Sequence, residues 1–322
     1  MNSYGRKFRI SIFGESHGKS VGITIDGCPP GIALTEQDFL SDLARRKSGA
    51  KGTTPRQEKD MPELISGIFN GHTTGAPITI LFKNENTRSA DYTNLLASPR
   101  PGHADFVAHS KYKGFEDYRG GGHFSGRLTL ALVAAGVVAK KIISPVTISA
   151  QLVEAGGHSN IDEAIANAME SGNSIGGIVE CRAKEIPVGW GEPFFDSVES
   201  TISHIVFAIP AVKGIEFGSG FQAATMTGSQ HNDPIINADG KTKSNNAGGI
   251  NGGISNGNEL LFRIAIKPTS SIGKEQQTYN KTAGKVESLT IEGRHDACIA
   301  LRIPVVLEAS TAIALADLKL LF

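Results

Sequence analysis

The 322-residue chain carries no net charge: Lys and Arg together number 32, as do Asp and Glu. With no overall basic field, nothing draws it non-specifically to nucleic acid or to an anionic membrane, and any anion site must be local. Cysteine is scarce. Cys28, Cys181 and Cys298 are odd in number, far apart and in no Cys-x-x-Cys pair, which argues against a disulfide framework and a thiolate metal site. The nine histidines offer no His-Glu-x-x-His spacing, so no metal centre is expected. Met1-Asn2-Ser3-Tyr4-Gly5-Arg6 lacks the apolar stretch of a secretory signal. The apolar run Leu128 to Ala139 falls short of the roughly 20 residues that cross a bilayer. A cytoplasmic protein without membrane or nucleic-acid partners is expected. Long linkers, tandem repeats and low-complexity tracts are missing as well, and a single domain over residues 1–322 is the expectation.

What the chain has in excess is glycine. Its 38 glycines are roughly 12% of the residues, against an average near 7%. Many positions must therefore need left-handed backbone or close approach to a neighbour. At 39% apolar and 20% charged residues the composition is that of a folded globular protein.

Alternating apolar residues predict a hairpin from Phe8 to Phe13 and Val21 to Asp26, turning through Gly14 to Gly18. Thr35-Glu36-Gln37-Asp38 resembles a capping box and predicts a helix from Phe39 to Lys47 with a basic end. A strand pair is expected within Gly67 to Leu81, and further strands at Val146 to Val153, Gly177 to Lys184 and Glu259 to Lys267. Leu128 to Ile143 is apolar almost all round, so its helix should be covered on several sides. Other helices are expected from Asn160 to Ser171, from Ser197 to Ile209 ahead of Pro210, and from Val305 to Leu321. Residues 84–126 show little periodicity; a long ordered loop of this kind is usually functional. The fold class is α+β with buried helices.

Two familiar phosphate motifs fail on inspection. Gly14-Glu15-Ser16-His17-Gly18-Lys19-Ser20 is one residue short of a P-loop and runs into a strand, and Gly218-x-Gly220-x-x-Ala223 is not followed by the helix of a dinucleotide site. An NTPase is thereby disfavoured. His17 alone would be an ordinary turn histidine. Arg100-Pro101-Gly102-His103-Ala104-Asp105 is denser, with a cation, a base and a carboxylate in six positions. Arg119-Gly120-Gly121-Gly122-His123-Phe124-Ser125-Gly126-Arg127 leads into a buried helix, where backbone N–H groups and two arginines suit a phosphate or carboxylate. Lys267-Pro268-Thr269-Ser270-Ser271 offers a cation and three hydroxyls, and Gly293-Arg294-His295-Asp296 a guanidinium and a carboxylate. No activated nucleophile stands out. Such an inventory suits a small polyanion whose chemistry is proton movement and departure of a leaving group.

Taken together, and with Asp26-Gly27-x-Pro29-Pro30-Gly31, Arg88-Ser89-x-Asp91-Tyr92 and Gly248-Gly249-Ile250, these motifs closely resemble the chorismate synthase family over essentially the whole chain. The resemblance implies helices sandwiched between antiparallel β-sheets, a homotetramer, and the anti-1,4 elimination of phosphate from 5-enolpyruvylshikimate 3-phosphate to give chorismate. It implies a requirement for reduced FMN without net redox change. By position, it assigns catalysis to His17, which would protonate the departing phosphate, His103 at the flavin N1 edge, and Asp296 beside N5. Substrate binding would fall to Ser16, Arg46, Lys51, Arg100, Ser125, Arg127 and Arg294. Flavin contacts would fall on His123, Phe124, Ser125, Ala211, Gly252, Lys267, Pro268, Thr269, Ser270, Ser271 and Arg294. His123-Phe124, Pro210, Lys51 and Ala297 depart from the family's usual residues, beside flavin or phosphate contacts. A flavin- or polyanion-binding module without catalysis is the rival reading, disfavoured because His17, His103 and Asp296 are all present. A monofunctional enzyme is expected, supplied with reduced FMN by a separate flavin reductase or another reductant.

Overall fold

The computed structural model describes residues 2–54, 58–86, 95–291 and 295–322. One antiparallel sheet has the strand order Ser3–Tyr4, Arg9–Gly14, Ser20–Asp26, Ile78–Lys83, Glu63–Ser66. Its pairing puts Ile12 opposite Ile23 and Ile23 opposite Ile80. Because side chains alternate across a strand, this register gathers Val21, Ile23, Ile25, Ile78, Ile80 and Phe82 on one fully buried face. A second antiparallel sheet runs Val212–Phe217, Leu260–Ile266, Gly177–Lys184, Thr147–Ala155, and buries Leu260, Phe262, Ile264, Val179 and Cys181 in the same way.

Two apolar helices fill the space between. Thr129–Ile143 packs against the first sheet and Ile303–Leu321 against the second, and the two pack on each other. Glycine in a helix costs about 1 kcal/mol relative to alanine. Gly136 is nevertheless required, because a Cβ there would stand 2.3 Å from the Cβ of Ala309 on the facing helix. Gln37–Arg46 and Val198–Val206 flank this pair and complete the sandwich.

A buried carboxylate ties the layers together. Glu308, 3% exposed, accepts from both Arg45 Nη atoms at 2.6 and 2.7 Å, from Lys140 Nζ at 3.4 Å and from the N–H of Ala150 at 3.0 Å. It thus bolts its own helix to two other helices and to the Thr147–Ala155 strand. Asp317, on the same helix, accepts the backbone N–H groups of Arg6, Lys7 and Phe8 and pins the N-terminal segment.

The expected helices and strands form with small shifts at their ends. The Asp38 carboxylate accepts the Thr35 N–H at 2.8 Å and its hydroxyl at 3.1 Å, but Thr35 caps no helix N–H: the box is half formed, and the helix begins at Gln37 without a side-chain cap. Several features differ, among them the edge strand Glu63–Ser66, which precedes the expected strand pair. Residues 84–126 contain a helix, Asp105–Tyr112. Val212–Phe217 is a strand at a sheet edge, and Gln276–Asn280 pairs with Lys285–Leu289 as a separate hairpin. The longest apolar helix is Ile299–Leu321 rather than the run at Leu128, and most of it is buried inside the sandwich. All three cysteines are buried free thiols, with burial pushing Cys28 up to about 11 and Cys181 to about 12.

Candidate functional site

The glycine segment Arg119–Phe124 is a tight turn in which Gly120, Gly121 and Gly122 all have positive φ. A Cβ on Gly120 would meet the His17 ring at 2.5 Å and Ser16 Oγ at 2.9 Å; one on Gly121 would come within 3.5 Å of the His103 ring. Bare backbone therefore lets two histidines from distant parts of the chain lie against successive residues of one turn. The Ser16 N–H donates to Gly122 O at 3.1 Å, which fixes His17 to it. His17 is only 7% exposed, and the neighbouring Ser16 Oγ is buried without a hydrogen-bond partner. Ser125 Oγ accepts the Arg127 N–H at 3.3 Å and so caps the turn that leads into the Thr129–Ile143 helix.

His103 sits in the turn before the Asp105–Tyr112 helix. Its Nδ1 lies 2.5 Å from Asp105 Oδ1 and 3.0 Å from Arg100 Nη2. A guanidinium can only donate, and one ring nitrogen cannot both accept from it and donate to the carboxylate. The shorter contact assigns the proton to Nδ1, leaving Nε2 toward Gly121. Arg100 donates to Asp105 from Nε and Nη2, each at 2.8 Å, and to Ser271 at 3.0 Å. Burial pushes the Asp105 carboxyl up, but the hydrogen bonds from Arg100 and His103 outweigh it and hold the group well below the usual carboxylate range. Lys267 Nζ at 2.6 Å and Ser270 Oγ at 2.8 Å both donate to Gly102 O and latch this turn to the Lys267–Ser271 segment. Partial burial, helped by the charge of Lys213, lowers the Lys267 ammonium pKa.

Arg46 and Arg127 are buried and meet at a residue the motifs did not single out, Asp60. Its Oδ2 accepts from Arg46 at 3.1 Å and its Oδ1 from Arg127 in a shorter contact. Arg127 also donates to Asn84 Oδ1 at 3.0 Å, while Asn84 donates to Glu15 O and Gly18 O and so steadies the His17 loop. Burial, with the charges of Arg302 and Arg127, pushes Arg46 down to about 10 against the pull of Asp60. Arg302 bridges Arg46 O at 3.0 Å and Asp296 at 3.6 Å, and Asp296 Oδ1 accepts the Thr54 N–H at 2.9 Å. Asp296, Arg46, Arg127, His17 and His103 are thus linked through Arg302, Asp60, Asn84 and the glycine turn.

Beside this network opens a cleft of about 660 Å³, within the range of small-molecule sites. Ile10, Ile12, Leu128, Leu132, Phe124 and Ile209 give it apolar walls. His103, His123, Ser125, Lys267, Thr269 and Ser270 give it polar edges, and Ala211 and Pro268 complete that side. Apolar walls with hydrogen-bonding groups along one side suit an aromatic ring system with polar edges. His123 is turned by Gly14 O, 2.8 Å from its Nδ1, and by Asn2 Oδ1, 3.2 Å from Nε2. Tyr4 and His204, edge to face at 5.3 Å, also line the cleft and carried no sequence signal.

Some expected residues stand apart. Lys51 is exposed on a turn, Gly252 lies at the tip of the hairpin Ile250–Asn251 with Ile254–Ser255, and neither is in the cleft lining. Ser271 reaches the site through Arg100 rather than as part of that lining. Arg294, with Gly293, lies outside the described residues, as does the Arg88 to Tyr92 motif. Asp105 was legible within the His103 motif as a nearby carboxylate; Asp60 in Glu58-Lys59-Asp60 looks like a solvated charge run, and nothing local marks it.

The family model for chorismate synthase matches residues 8–320. A chorismate synthase of Chitinophaga pinensis is 64% identical over 322 residues, covering 100% of this chain and 97% of that one. One from Dehalococcoides mccartyi is 47% identical over 351 residues, covering 99% and 96%. A crystal structure of a chorismate synthase superposes with a TM-score of 0.76 at 27% identity, over 98% of this chain and 92% of that one.

Proposed function

The chain belongs to the chorismate synthase family, and from that premise we propose how its own residues carry the FMN-dependent elimination that forms chorismate. The observation that carries the reading is the seating of His17 and His103 on successive glycines of one turn, beside a flavin-sized cleft. The substrate is 5-enolpyruvylshikimate 3-phosphate, which loses phosphate and a ring hydrogen. Reduced FMN, when bound, supplies electron density to the breaking carbon–oxygen bond with no net redox change.

His17 is the acid for the departing phosphate oxygen. An imidazole with an ordinary pKa of about 6.5 can hold a proton near neutrality when anions surround it. His103, with Nδ1 committed to Asp105, presents Nε2 to hold a proton at the flavin edge. Arg46 keeps a buried Nε without a partner, a donor for a substrate anion, and Ser16 Oγ offers a second group in the same condition. Arg100, Arg127 and Ser125 complete the anion pocket, and Asp296, oriented by Thr54 and Arg302, would assist the flavin in taking up the ring proton.

The finer reading is of a homotetramer in the cytoplasm, fed reduced FMN by a separate reductase. Large apolar side chains that stand out from a single chain, among them Phe115, Phe194, Phe195 and Phe221, support self-association. The test is an anaerobic assay with reduced FMN and substrate, scoring phosphate and chorismate together. Equimolar release is expected; consumption of substrate without chorismate, or none at all, rejects the reading. NADPH with oxidised FMN and no reductase should give no chorismate above an enzyme-free flavin control, and light scattering should give four times the chain mass.

A further inference from the structure

Asp60 is a charged residue of this site that the family motifs leave without a role. It is 4% exposed, stands in left-handed backbone with φ 53°, and offers one carboxylate oxygen to each of two buried arginines. Most nitrogens of those guanidinium groups already have a partner. Arg46 Nη1 reaches Thr129 Oγ1 at 3.3 Å, and Arg127 reaches Asn84 Oδ1 and, at 3.4 Å, Lys83 O. Arg46 Nε is the one nitrogen of the pair that has no hydrogen-bond partner among the described residues. Arg46, Arg127 and Arg302 against Asp60 and Asp296 leave one positive charge in this cluster. Two buried guanidinium groups without a counter-ion would be strongly destabilising. Asp60 is therefore the resident anion of the site, and an incoming phosphate or carboxylate shares donors with it.

We propose that Asp60 is a positioning residue for the substrate: it fixes the planes of the Arg46 and Arg127 guanidinium groups, and its charge moderates how tightly they hold the substrate's anionic group, so that phosphate can leave. The proposal rests on the reading above that Arg46 and Arg127 face the substrate. A carboxylate shared between two arginines lowers the field that a second anion meets, whereas a neutral amide in its place would leave that field undiminished.

The test uses the full-length enzyme with Asp60→Asn and Asp60→Glu, and inorganic phosphate as the probe. Asp60→Asn should melt lower than wild type without phosphate and gain more from it. Its inhibition constant for phosphate should be about tenfold lower, with kcat and KM both reduced because the anionic group is held more tightly. Asp60→Glu keeps the charge but displaces both guanidinium groups, so its phosphate response should match wild type while KM rises about tenfold. A phosphate response in Asp60→Asn no greater than that of wild type overturns the moderating role; wild-type KM in Asp60→Glu overturns the positioning role. If Asp60→Asn folds only with phosphate present, the counter-ion role is supported. If it fails to fold at all, Asp60→Glu decides. Should wild type itself form no chorismate, the proposed function fails, while the phosphate-dependent melting of Asp60→Asn still reports on Asp60.

Discussion

His103 Nδ1 stands 2.5 Å from Asp105 Oδ1, two positions along the chain. The turn that presents the histidine thus also carries the carboxylate that sets its tautomer, and the same carboxylate is the first residue of a helix and the bidentate partner of Arg100. One short segment therefore supplies the base, its orienting group and the cation that holds that group, an arrangement like those that fix a catalytic imidazole elsewhere.

Asp105→Asn should lower kcat by about tenfold or more while leaving the flavin's affinity largely unchanged, because His103 loses its orienting acceptor and not its ring. It should also alter stability in a pH-dependent way. An aspartate whose folded-state pKa is depressed stabilises the fold above its unfolded value of about 3.9, and that contribution fades as pH falls through the folded value. Urea midpoints should therefore separate wild type and variant at neutral pH and converge in acid below about pH 3. A gap that widens in acid would refute the assignment.

His17→Ala and His103→Ala should each reduce turnover by about 10²–10⁴-fold, as expected for general acid–base groups. Neither ring is part of the sandwich core between the sheets, so far-UV circular dichroism should be unchanged. Wild-type turnover in either variant removes that residue from the mechanism.

Gly120→Ala is the sharper probe of geometry. Its φ of 60° costs an L-residue roughly 1–2 kcal/mol, and the new methyl would occupy space now held by the His17 ring. We expect a loss of activity close to that of His17→Ala, with a melting temperature within a few degrees of wild type. Gly157→Ala, also at positive φ but facing open space, should retain activity.

Glu308→Gln tests the bolt between the layers. Gln keeps the shape and removes the charge facing Arg45 and Lys140; because the Arg45 side chain is 44% exposed and can hydrate, the cost should be about 1–3 kcal/mol. Chemical denaturation should show a lower midpoint with an unchanged slope, and KM should be unaffected.

Features that depend on near neighbours along the chain are legible in its amino-acid order. The pattern of Gly177 to Lys184 predicts a strand with the ends it has, and Leu128 to Ile143, apolar almost all round, predicts the covered helix found at Thr129–Ile143. The motif loops were legible because glycines, histidines and arginines crowd into a few positions, and that density survives without any knowledge of the fold. Which of these loops meet is set by the packing of the whole chain. That the His17 and His103 rings lie against adjacent glycines follows from where strand ends and a helix start are placed by the sandwich, a relation carried by no local pattern. Asp105–Tyr112 escaped because its apolar residues have weak helical periodicity and it is anchored largely by polar contacts to Arg100 and His103. Val212–Phe217 escaped because a sheet edge is defined by the neighbour it joins, Leu260–Ile266. Asp60 escaped for the deepest reason. Coulomb attraction acts through space, so a carboxylate among exposed-looking charges acquires its partners, Arg46 and Arg127, only when the chain brings three separate segments to one buried point.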